Sequence, residues 1–255
     1  MKKYILEACV DSVESALMAI EGGASRLELC SNLIIGGTTP SLELFKAIRR
    51  HSHIRIHVLI RPRFGDFYYS DHEFEIIKNE VIAFRELGAE GVVIGLLKQD
   101  GTLDQQRMKE LIALAQGMSI TLHRAFDVCQ NPYEALEEAV NLGIHTILTS
   151  GQHNNCTLGR DILRELVRQS AGRIDILVAG GVEAKVIGEM HPYTKATSYH
   201  MSGKIEKDSC MQYRKENVNM GIDSLSEYII WETSKEKIED AKGVLEKLCF
   251  QTNVE

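Results

Sequence analysis

Apolar and polar positions along this chain follow two periods that take turns. Short runs with the two-residue period of a strand, such as Leu6-Glu7-Ala8-Cys9 and Leu27-Glu28-Leu29-Cys30, give way to stretches with helical spacing, such as Ala16, Leu17, Ala19 and Ile20. The pattern predicts a first strand through Cys9 and further strands over 26–30, 54–60, 92–94, 120–123, 145–148, 174–178 and 196–200. Helices are expected between them, over 42–50, 73–87, 104–116, 158–169 and 183–190. A first helix begins at Asp11-Ser12, with Glu14 in capping-box register from Asp11, and ends at Gly22-Gly23. Another opens at Pro132, a first-turn position that tolerates proline. Residues 204–223 read as polar and irregular, and a last amphipathic helix is expected over 224–248, broken near Thr233-Ser234. Eight β/α units without an obvious linker predict an α/β fold, a single TIM-type (β/α)8 barrel spanning 1–255, with an open doubly wound sheet as the alternative.

In such a barrel the carboxyl ends of the strands and the loops after them build the functional face. The polar residues of this chain gather there: Glu7 and Cys9, Glu28 and Cys30, then Arg61, Arg63 and Asp66 after the third strand. His123, Arg124 and Asp127 follow the fifth strand, Ser150 the sixth, Gly180 and Gly181 the seventh, and His200 and Ser202 end the eighth. A carboxylate inside an apolar strand is costly to bury unless it is paired or used, and Glu7 and Glu28 repeat that anomaly. One reading pairs them with Arg61 or Arg124 in a buried ion network. Another makes the rim an active site, with Glu7 or Glu28 beside His123 as general base, Asp127 orienting the histidine or equally capping the next turn, and the arginines holding a small anionic substrate. Gly180-Gly181 and Ser202-Gly203 suit a phosphate cradle, or simply the sharp turns of βα loops.

Cys9 and Cys30 occupy matching positions on strands that would lie about 4.8 Å apart, close enough for two thiolates to share a soft ion such as Cu(I). As single residues they read rather as small, inert buried hydrophobes, and it is the matching pair that favours a ligand role. The six cysteines form no C-x-x-C, which argues against a zinc motif or a secreted disulfide framework.

Composition changes the picture little. With 255 residues, 44% hydrophobic and 25% charged, the chain has the material for a large core. A net charge of -7 argues against nucleic acid or an anionic membrane as partner. No apolar run approaches the roughly 20 residues that span a bilayer, and the first residues lack the apolar region of a secretory signal, so a cytoplasmic protein is expected.

The ordered motifs L-E-x-C-V-D-S at 6–12, R-L-E-L-C at 26–30, G-G-T-T-P-S at 36–41 and I-R-P-R-F-G-D-F-Y-Y-S-D at 60–71 resemble the CutC copper homeostasis family. H-R-A-F-D at 123–127, L-T-S-G-Q at 148–152 and A-G-G-V at 179–182 extend the match over nearly the whole chain. The resemblance implies a TIM-type barrel, a cytoplasmic protein that self-associates, and Cys9 and Cys30 as the residues corresponding to the family's proposed Cu(I) ligands. It implies no settled enzymatic activity. Phe64 and Ala179 depart from the family's usual glycines, which leaves the fold expectation intact and narrows the rim.

Overall fold

Register sorts the strand side chains of this chain into two shells. In the computed structural model, which describes residues 4–218, 220, 222 and 225–251, eight parallel strands close into a barrel in sequence order. They are β1 (Ile5–Val10), β2 (Arg26–Leu29), β3 (Ile56–Leu59), β4 (Gly91–Ile94), β5 (Ser119–Leu122), β6 (Thr146–Thr149), β7 (Asp175–Val178) and β8 (Ser198–Met201). The intervening helices are α1 (Val13–Glu21), α2 (Leu42–Arg49), α3 (Asp71–Glu86), α4 (Gln105–Leu114), α5 (Pro132–Asn141), α6 (Arg160–Ser170) and α7 (Ala184–Thr194). The TIM-type (β/α)8 expectation holds.

Local chemistry starts the helices where the sequence suggests, with small shifts. Ser12, rather than Asp11, caps α1 by accepting from the Ser15 N–H, and Ser70 with Glu73 forms a reciprocal capping box that starts α3 two residues earlier than expected. Asn131 caps α5 with Pro132 in the first turn.

The outward shell is the main hydrophobic core. Leu6, Ala8, Leu27, Leu29, Val58, Val92, Ile94 and Leu122 pack against helix residues such as Phe45, Ile77, Phe84 and Leu136, all buried. The inward shell is unusually polar. Glu7, Arg26, Glu28, His57, Thr121, Thr146 and Ser198 are all buried, where such barrels commonly stack Val, Ile and Leu. Its apolar portions are two small clusters, Cys9 with Cys30, Leu59 and Val93, and Leu148 with Leu177 and Ala179. Glycine makes room for this interior: a Cβ on Gly91 would stand 2.6 Å from the His57 ring, and one on Gly95 2.6 Å from that of His123.

The region after β8 departs from expectation. Residues 204–208 and 229–233 form an antiparallel hairpin, β9 (Lys204–Asp208) with β10 (Ile229–Thr233), pairing Trp231 with Glu206. The last helix, α8 (Lys235–Gln251), therefore begins after Ser234, and the expected break at Thr233-Ser234 is the strand-to-helix junction. The expected start of that helix, 224, lies outside the described residues.

Candidate functional site

The parallel register delivers the first cluster. β1 lies between β2 and β8, and Glu7 sits directly beside Arg26 on one side and His200 on the other. One step further along, Cys9 is the neighbour of Glu28. The Glu7 carboxylate is buried and takes a charged hydrogen bond from the Arg26 Nε–H, while its other oxygen lies 2.7 Å from His200 Nδ1. Burial works to raise the Glu7 pKa, but Arg26 and His200 outweigh it and hold the carboxyl down at about 2.

His200 is thereby oriented. With Nδ1 committed to Glu7, Nε2 faces Glu28 at 3.8 Å, and a His200 ring nitrogen, Cys9 Sγ and a Glu28 carboxylate oxygen all lie within 4.8 Å of one another. Burial opposes the charge on His200, yet Cys9, Glu28 and Glu7 together push its pKa well above the usual imidazole range. Glu28 moves the opposite way from Glu7: burial raises its pKa, and the pull of His200 offsets only part of that. Cys30 lies behind the cluster, fully buried, with its thiol donating to Glu28 Oε2 at 3.3 Å. Burial, then Glu28, push that thiol pKa well up, so Cys30 rests protonated.

Above this cluster opens a cavity of about 320 Å³. Cys9, Glu28, Arg61, His123, Arg124, Gly180, Gly181, His200 and Ser202 line it, joined by Asp11, Phe67 and, from the hairpin, Lys204, Trp231 and Glu232. The Lys204 ammonium stands 3.6 Å from the centre of the Trp231 ring, a contact that ties the two strands of the hairpin to each other where they border the mouth.

Several residues singled out in the sequence lie elsewhere. Arg63 is turned to α3, with Nε 2.5 Å from Glu73 and a second contact to Asp66, itself 73% exposed, so neither belongs to the cavity wall. Asp127 ties a loop together, accepting from the Ser150 and Gln152 N–H groups and pairing with Arg124 at 2.6 Å; it does not orient His123. Ser150 Oγ accepts from Arg124 at 2.8 Å and supports that guanidinium from outside the wall. Glu7 is neutralised by Arg26 and His200 rather than by Arg61 or Arg124, because the register places the former beside it, and Glu28 faces His200 at 3.8 Å. Glu7 and Cys30 sit beneath the cavity rather than on its wall.

The structure adds Arg26, His57, Phe67 and the hairpin to the residues that the sequence pattern points to. For Arg26 a signal exists in the sequence: it shares the inward face with Glu28 and Cys30, two and four residues on.

The model of the CutC family matches residues 4–205. The chain belongs to the CutC family. A relative from Vibrio cholerae, named as a family protein CutC, is 42% identical over 248 residues, covering 96% of this chain and 98% of its own. The copper homeostasis protein cutC homolog of Mus musculus is 38% identical over 242 residues, covering 94% of this chain and 89% of its own. Among solved structures, the putative copper homeostasis protein CutC of Streptococcus agalactiae superposes with a TM-score of 0.75 at 30% identity, covering 78% of this chain and 99% of that one. A thiamine phosphate pyrophosphorylase from Pyrococcus furiosus, at 15% identity and a TM-score of 0.57, shares the barrel alone.

Proposed function

We propose that this protein handles copper by binding Cu(I) at the head of β1, β2 and β8. The observation that carries this reading is the meeting of Cys9, His200 and Glu28 within 4.8 Å at the floor of an open cavity. Thiolate and imidazole are donors suited to a soft monovalent ion, and a metal-binding histidine characteristically gives its second ring nitrogen to a carboxylate, as His200 does to Glu7. Cys9 and His200 are the first donors, His200 giving up its Nε2 proton on binding the ion, with Cys30 as the second sulfur. A carboxylate is a harder ligand than Cu(I) prefers, and Glu28 serves differently, by accepting the Cys30 proton when that thiol becomes a ligand. The two glutamates of the repeated motif thus divide the work, Glu7 orienting the imidazole and Glu28 receiving a proton.

The compartment we infer is the cytoplasm, in keeping with cysteines that form no disulfide among the described residues. No helix among the described residues is long and apolar enough to cross a membrane.

X-ray absorption at the copper edge, on protein loaded anaerobically with one equivalent of Cu(I), tests the site. Sulfur together with imidazole nitrogen in the first shell is expected, with the nitrogen signal lost in His200→Ala. A spectrum free of sulfur would exclude the proposed donors.

A further inference from the structure

The wall of the cavity across the barrel from Cys9 has a different chemistry. His123 follows β5, four strands round from β1 in the closed order, and Arg61 follows β3. Both residues line the cavity, and both are more than nine-tenths buried, Arg61 at 7% and His123 at 4% exposure.

The Arg61 guanidinium donates through Nη1 to the Gly37 carbonyl at 3.0 Å and through Nη2 to the Gly65 carbonyl at 2.9 Å, with a longer contact to Gly36. These acceptors are neutral carbonyls, so its full charge stands without a carboxylate counterpart in that set. Its Nε–H has no hydrogen-bond partner in the protein. His123 Nδ1 accepts the Ala125 N–H at 3.1 Å, which leaves the ring proton on Nε2, and this atom too is buried without a partner. Burial, then Arg61, hold the His123 pKa down at about 3, so the ring is a neutral donor at physiological pH. Phe67 fixes both groups from the side, its ring centre 4.8 Å from that of His123 and 5.1 Å from the Arg61 guanidinium carbon.

Buried donors in native proteins are nearly always satisfied, and a buried cation without a counter-charge is the less common case still. Here the two residues that carry such donors, one of them with a full positive charge, line the same cavity. A hydroxyl or amide ligand would satisfy the donors but leave the guanidinium charge uncompensated. An oxyanion meets both needs.

We propose that Arg61 and His123 form a binding site for the oxyanion group, carboxylate or phosphate, of a small ligand that enters the cavity from its open mouth. This goes beyond copper binding and does not rest on it, because the two donors belong to β3 and β5 and the metal donors to β1, β2 and β8. Arg124, whose charge is met by Asp127 and which donates to Ser150, lines the same cavity and leaves Arg61 as the guanidinium there without a carboxylate contact among the described residues.

The test uses chelator-treated wild-type protein, so its outcome is independent of any copper result. Inorganic phosphate and oxalate are titrated separately, with binding followed by calorimetry and by the Nε2 signal of His123 in a histidine nitrogen correlation spectrum. At least one anion is expected to bind at a single saturable site and to shift that signal. Saturation by phosphate alone assigns a phosphorylated ligand, and by oxalate alone a carboxylated one. His123→Phe keeps a ring against Phe67 and removes the donor, and it should weaken binding about tenfold. If neither anion moves the His123 signal at millimolar concentration, or if the folded His123→Phe protein binds as wild type does, the proposal is overturned. The wild-type spectrum decides the question even where the variant fails to fold.

Discussion

His200 Nδ1 lies 2.7 Å from Glu7 Oε1, and that one contact turns the other nitrogen of the imidazole toward Glu28 and Cys9. Because Glu7 is itself held by Arg26, the order of command runs Arg26, Glu7, His200. Removing the middle member should therefore cost more than its own contacts.

Glu7→Gln leaves Arg26 buried without a charged partner, and breaking a buried pair in this way typically destabilises by about 3–5 kcal/mol. Urea unfolding at pH 7 measures it. The Glu7 carboxyl sits at about 2, below its ordinary value of 4.5, so its stabilisation is complete above pH 4.5 and disappears as pH falls toward 2. The difference between wild type and Glu7→Gln should shrink over that window. A difference that stays constant from pH 5 to 2.5 would show that the charge plays no part.

Glu28→Gln should behave in the opposite sense. Burial raises the Glu28 pKa, so the folded protein keeps this proton longer than the unfolded chain, and wild-type stability falls as pH rises above 4.5 through the raised value. Glutamine does not ionise, and the variant should be at least as stable as wild type at pH 8. Its Cu(I) binding should release one proton more to solvent than wild type does, since Glu28 no longer receives the Cys30 proton. Equal proton release, measured by titrating in buffers of different ionisation enthalpy, would remove Glu28 from that role.

The barrel is legible in the sequence because its strands and helices differ in hydrophobic period, and period is a local property of the chain. The identity of Glu7's partners is not, because Arg26 and His200 are 19 and 193 residues away and become neighbours only through the register of β1 with β2 and β8. Arg61 and Arg63 show the same limit. They are two residues apart in one loop, yet Arg61 turns inward over Phe67 while Arg63 is drawn to Glu73 on α3. The hairpin is hidden for another reason: β9 is exposed along its whole length and carries no alternation to read, and Ile229 and Ile230 of β10 are exposed as well.

Arg63→Ala should separate loop structure from ligand binding. Its contacts to Glu73 and Asp66 are part-exposed, so the loss should be about 1 kcal/mol or less, with anion and copper affinity unchanged within about twofold. A large loss of affinity in this variant, against retained thermal stability, would return Arg63 to the site.

Gly95→Ala probes the space reserved for His123. The new methyl would stand 2.6 Å from two ring atoms, and displacing a packed group in this way costs about 1–3 kcal/mol. Thermal denaturation should show that loss, and the His123 Nε2 signal should move before any anion is added. An unshifted signal would mean that the ring is not confined as the structure describes.

The central claim is that Cys9 and His200 are the first donors of a Cu(I) site that Cys30 completes. Anaerobic competition against a chromophoric Cu(I) chelator tests it most directly, comparing wild type with Cys9→Ser, Cys30→Ser and His200→Ala. One copper per chain is expected, with affinity reduced at least about a hundredfold in Cys9→Ser and by smaller factors in the other two, while far-UV circular dichroism stays unchanged. Wild-type affinity in folded Cys9→Ser would contradict the account.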